Sequence, residues 1–98
     1  MSDISLTRTH SLGLQGARTA AEKMVVRLQS QFGLSGKWEG DTLHVNRPGV
    51  KGRLTVTATE MMLEITLGFL LSAMKSSIER AVQEEIDNAL QSPQNHQN

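Results

Sequence analysis

The chain has 98 residues, 38% of them apolar, with ten basic side chains balancing ten acidic ones and no cysteine. That length supports one domain with one modest core. The balanced charge offers no general attraction for nucleic acid or an anionic membrane, and the missing thiols exclude disulfides, thiolate metal sites and a cysteine nucleophile.

Trp38, Phe32 and Phe69 are the only aromatic residues, so the core has to be built from Leu, Val, Ile, Met and Ala. The opening "MSDISLTRTH" has no apolar stretch of the kind a signal peptide needs. No apolar run, Phe69 to Leu71 included, approaches the roughly 20 residues that span a bilayer. These features fit a cytoplasmic protein.

Residues 3–9 alternate, with Ile4 and Leu6 on one side and Ser5 and Thr7 on the other, and predict a short strand. Ser11 is placed to cap the helix that follows. Leu14, Ala17, Ala21, Met24, Leu28 and Phe32 recur at three and four residues and predict one apolar stripe on a helix ending at Gly33. Gly13, Gly16, Ala17, Ala20 and Ala21 make that helix thin and suited to close packing on a sheet.

Four alternating segments come next. Leu34, Gly36 and Trp38 form the first inward set, and Leu43 and Val45 the second, across a Gly40-Asp41 hairpin loop with glycine first. Leu54, Val56 and Ala58 follow the Pro48-Gly49 turn, and Met61, Leu63, Ile65 and Leu67 follow a tight turn near Thr59-Glu60. Each strand keeps one apolar and one polar face, as in an antiparallel sheet covered on one side. Leu43, Val45, Leu54, Val56, Leu63 and Ile65 are expected inside, with Thr55, Thr57 and Glu64 outside.

Leu70 or Leu71, Met74, Ile78, Ala81 or Val82, Ile86, and Ala89 or Leu90 then predict an amphipathic helix from about 69 to 91. The sheet needs more cover than the thin first helix supplies, so the expected role of Phe69 to Leu71 is to seat this second helix on the core. An external grip is the alternative. Residues 1–91 read as a single α+β domain, and 92–98, "SPQNHQN", as a polar disordered tail.

The chain carries little that points to chemistry. His10, His44 and His96 have no partner at metal-ligand spacing and read as solvated side chains. Glu60 and Glu64 lack an apolar pocket that would raise a carboxyl pKa. No G-x-S-x-G elbow is present, and "GLQG" (Gly13 to Gly16) lacks the third glycine and the lysine of phosphate-binding loops. Arg47, Lys51 and Arg53 surround the Pro48-Gly49 turn with no acid from Thr42 to Thr59, whereas Glu84, Glu85 and Asp87 make the far end of the last helix acidic. No catalytic, cofactor-binding or metal-ligating residue is assigned, and no enzymatic activity is expected.

The segments "RTHSLGLQGARTAAEKM", "FGLSGKWEGDTLHV", "GVKGRLTV" and "LGFLLSAMKSSIE" resemble the polyhydroxyalkanoic acid system proteins, small bacterial proteins encoded among genes for storage-polyester synthesis and granule coating. The resemblance covers about residues 4 to 90, and is most specific at Trp38 to Asp41 and Gly68 to Lys75. It implies a cytoplasmic, non-enzymatic protein acting at storage granules or on granule-associated proteins, and it brings no catalytic residues with it.

The predicted order is β-α-β-β-β-β-α. The first and last strands pair, giving a sheet ordered 2-3-4-5-1 with both helices on one face, similar to helix-grip folds by analogy. A second functional reading is a small carrier holding an acyl chain between helix and sheet. A homodimer through the open sheet face or through an edge such as Leu34–Glu39 is a further expectation, since exposed strand edges invite pairing.

Overall fold

The computed structural model describes residues 3–95, with side chains through Leu90. Strand β1 (Ile4–Thr9) leads to helix α1 (Gly13–Phe32), then β2 (Ser35–Glu39), β3 (Thr42–Arg47), β4 (Val50–Val56) and β5 (Glu60–Leu67). A 3₁₀ turn (Ser72–Met74) precedes helix α2 (Lys75–Asn95). All neighbouring strands are antiparallel, in the order β1-β5-β4-β3-β2. This is the expected α+β architecture, with β1 and β2 at the two edges.

The alternation of side chains decides which face is covered. Ile4, Leu6, Leu43, Val45, Leu54, Val56, Met61, Leu63, Ile65 and Leu67 are all buried. Helix α1 meets them with Ala17, Ala20, Ala21, Met24, Val25 and Leu28, and α2 with Val82 and Ile86. Three alanines in the first half of α1 let the helix backbone approach the sheet closely. Thr55, Thr57 and Glu64 lie on the uncovered face and are half-exposed rather than fully solvated.

The turns follow from single residues. In the Gly40-Asp41 loop Gly40 alone has a positive φ, 60°, as a turn with glycine first requires. Pro48-Gly49 closes the Arg47–Val50 pair, with Gly49 at φ 88° in the second turn position. Thr57 Oγ1 accepts the N–H groups of Thr59 and Glu60 at 3.2 and 2.9 Å and ends β4 at Val56. Ala58 is therefore exposed in the turn rather than inward on the strand.

Several local expectations are corrected. Ser11 does not cap α1, which begins without a side-chain cap. His10 Nδ1 instead accepts the Leu12 N–H at 3.1 Å, so this histidine is tied to the helix entry. Leu14 and Phe32, at the two ends of the α1 stripe, are over a third exposed. Trp38 keeps its expected inward side: it packs half-buried against the core, and Arg18 lies over its ring at 4.0 Å while donating to Gly40 O at 2.8 Å. Helix α2 starts at Lys75 rather than about 69, and its backbone runs to Asn95, into the stretch expected as tail; the rest of that tail, with His96, lies outside the described residues.

Candidate functional site

The end of the molecule that gathers the C-terminus of α1, the β3–β4 turn and the approach to α2 is held by backbone contacts. Arg47 Nη1 donates to Phe32 O at 3.0 Å, and its Nε to Pro48 O at 3.2 Å. The Gly68 N–H donates to Gly49 O at 2.7 Å. Gly68 O then accepts the N–H groups of Leu71 and Ser72, each at 3.1 Å, and Ser72 Oγ donates to Phe69 O at 2.7 Å. Gly68 and Gly49 touch backbone to backbone: a Cβ on Gly68 would sit 3.2 Å from Gly49 Cα. The close backbone approach favours glycine at 68, and the φ of 88° favours glycine at 49.

The joint fixes where the apolar run points. Leu71 turns inward and covers Gly49, with its Cδ1 3.1 Å from where a Gly49 Cβ would be. Phe69 and Leu70 are left outside, 90% and 84% exposed. Met74 is 53% exposed. The expected seating of α2 on the core by Phe69 to Leu71 is thus overturned for two of the three side chains, and the external alternative matches their exposure. Burial of the α2 stripe starts only at Ile78, which is half-buried, and is full at Val82 and Ile86.

Phe32, Phe69, Leu70 and Met74 together make this end unusually apolar for a surface. Arg47, Lys51 and Lys75 stand around it, all exposed and without ion pairs among the described residues. The third member of the basic cluster, Arg53, is neutralised across the sheet by Glu64, to which its Nε donates at 2.9 Å. Two of the acidic residues of α2 pair elsewhere: Asp87 accepts from Arg8 Nε at 2.8 Å, and Glu85 faces Arg27 at 3.8 Å.

Beneath this end, between both helices and the sheet, lies an apolar cavity of about 70 Å³. Val25 and Leu28 of α1, Val45 and Ile65 of the sheet, and Ile78 and Val82 of α2 form its walls. Phe32 and Arg47 line it too, and as exposed residues they mark its mouth. The periodicity of each element places its apolar residues inward, but the gap arises from how two helices and the sheet meet, which no local pattern encodes.

The open sheet face carries a shallow polar hollow in which His44 Nε2 lies 3.0 Å from Glu39 Oε1 and Thr42 faces Thr55 across the strands at 3.4 Å. His44 is thus paired rather than simply solvated. His10, by contrast, has a buried Nε2 without a hydrogen-bond partner among the described residues. No cluster of three or more His, Cys, Asp or Glu able to hold a metal ion occurs among the described residues. No helix there is long and apolar enough to cross a membrane.

No curated protein and no solved structure matches the chain. A family model does, and it spans both the β2–β3 hairpin and the exposed turn: residues 4–90 match the family described as "Putative polyhydroxyalkanoic acid system protein (PHA_gran_rgn)". With nearly its whole length matched, this chain belongs to that polyhydroxyalkanoic acid system family.

Proposed function

We propose that this chain is a non-enzymatic, cytoplasmic interaction protein of the polyhydroxyalkanoate storage system, and that it associates with granules through the Phe69–Met74 end. The observation that carries this reading is the near-complete exposure of two adjacent large apolar side chains, Phe69 and Leu70, held outward by a glycine-to-glycine joint. Exposed apolar patches of this kind mark interaction sites, and the surrounding Arg47, Lys51 and Lys75 favour an anionic or mixed apolar surface over a purely aqueous one. Family membership supplies the storage-polyester context.

The competing reading, a carrier for an acyl chain between helix and sheet, calls for a site of about 300–1,000 Å³. The cavity here is about 70 Å³. A surface contact therefore accounts for the exposed turn better than an internal cargo does.

Granules isolated from cells test the proposal. The wild-type chain is expected to sediment with them, and the Phe69→Ser/Leu70→Ser variant to stay in solution with unchanged melting. Granules stripped of their proteins separate direct contact with the polyester from contact through a coat protein. Wild-type protein that remains in the supernatant, or a double variant that sediments equally, would overturn the assignment.

A further inference from the structure

The cavity beneath the exposed turn has a cation, Arg47, at its mouth. The walls are aliphatic, and Arg47 is the one charged residue lining the space. Its side chain is positioned by two carbonyl acceptors, Phe32 O at 3.0 Å and Pro48 O at 3.2 Å, with no carboxylate paired to it among the described residues. The stretch from Thr42 to Thr59 that carries it contains no acidic residue. A guanidinium held in this way prefers an anionic oxygen pair, which it binds with charge-assisted hydrogen bonds.

From this arrangement we infer a binding site for a short aliphatic carboxylate, with the carboxylate on Arg47 and the hydrocarbon tail in the cavity. Volume sets the chain length. A dry apolar cavity of about 150 Å³ accepts benzene, so a space of about 70 Å³ holds about three carbon-sized groups. That matches an acid of about four carbons. Longer chains have to stay partly in water or force apart α1 and α2, whose facing side chains are already packed. Dry apolar cavities accept small apolar guests in general, including xenon. Xenon therefore reports on the cavity alone, whereas a carboxylate reports on the cavity and Arg47 together. The cavity lies beneath the Phe69–Leu70 surface and shares Phe32 and Arg47 with it, but its occupancy is read without granules and so is tested apart from granule association.

The test is a titration of the full chain, labelled at Ile, Leu and Val methyl groups, followed by NMR. Butyrate is expected to give saturable shifts at Leu28, Val45, Ile78 and Val82. Hexanoate is expected to bind more weakly than butyrate, and butylammonium at least about tenfold more weakly, since it loses the charge-assisted bonds. Arg47→Gln is expected to weaken butyrate about tenfold while leaving the xenon-induced shifts of the same methyls unchanged. Equal binding of butyrate and butylammonium would remove Arg47 from the site. Hexanoate binding as well as butyrate would remove the volume limit. Absence of saturable shifts with butyrate, even where xenon shifts the same methyls, would end the proposal. The comparisons among ligands use the unaltered chain and hold whether or not the variant folds.

Discussion

Leu70, Met74, Ile78, Val82 and Ile86 are spaced by four residues throughout, yet their exposure falls from 84% at Leu70 and 53% at Met74 to 4% at Val82 and 0% at Ile86. One apolar row has two fates. The difference lies in what each end meets. Ile86 and Val82 face β-sheet side chains and α1, which together exclude water. Leu70 and Phe69 sit on a turn whose inner side is already occupied by Leu71 against Gly49. Hydrophobic spacing states which residues share a side. It does not state whether anything is opposite them, and for a connection between elements the turn geometry decides.

The strongest way to break the comparison is at the buried end. Ile86→Ala removes a fully enclosed side chain and is expected to cost about 3 kcal/mol, within the usual range for such truncations. Leu70→Ala, four positions before Met74 on the same row, is expected to change stability by less than about 0.5 kcal/mol. Urea unfolding of both variants reads the contrast directly. Similar losses at the two positions would show that the exposed turn is packed in solution.

The joint between the regions comes next in size. Gly68→Ala drives a methyl group against the Gly49 backbone, where no flexible side chain can yield. A destabilisation of about 1–2 kcal/mol is expected, as for other overpacked sites. A neutral result by thermal melting would mean that the turn has alternative paths and that the outward aim of Phe69 is not fixed.

The clamp of α2 on the edge strand contributes less. Arg8 and Asp87 are 2.8 Å apart with a third to nearly half of each side chain exposed, so their coupling in a double-mutant cycle is expected to be at most about 1 kcal/mol and to shrink with salt. Smallest of all is the effect of Phe69→Ser/Leu70→Ser on folding. Its unfolding midpoint should match wild type within error, while its tendency to associate with granules is lost. A clear drop in stability would assign the pair a structural role instead.

Much of this fold is legible from alternation alone. Leu43, Val45, Leu54, Val56, Leu63 and Ile65 point inward as their period of two demands, and the β1–β5 pairing follows from short connections and a single crossover helix. What local pattern could not reveal depends on contacts distant in the chain. Arg18 reaches Trp38 and Gly40 from α1, His10 accepts the Leu12 N–H at the helix entry, and Gly68 meets Gly49. The cavity is a property of both helices and the sheet at once. The exposed turn had one readable sign: the apolar run begins one residue past the end of β5, after Gly68, where the chain has to change direction before a helix can form.

Trp38 is the only tryptophan, and the chain has no tyrosine. Its intrinsic fluorescence is therefore the emission of one indole at one place, half-buried under the Arg18 guanidinium where α1 crosses the β2–β3 hairpin. Emission reports whether that helix is docked on the far strand of the sheet, whereas circular dichroism averages over every element. Coincident unfolding curves by the two methods would mark a single cooperative unit. An earlier fluorescence transition would identify the β2 side as the first part of the molecule to come away, with the α2 side still intact.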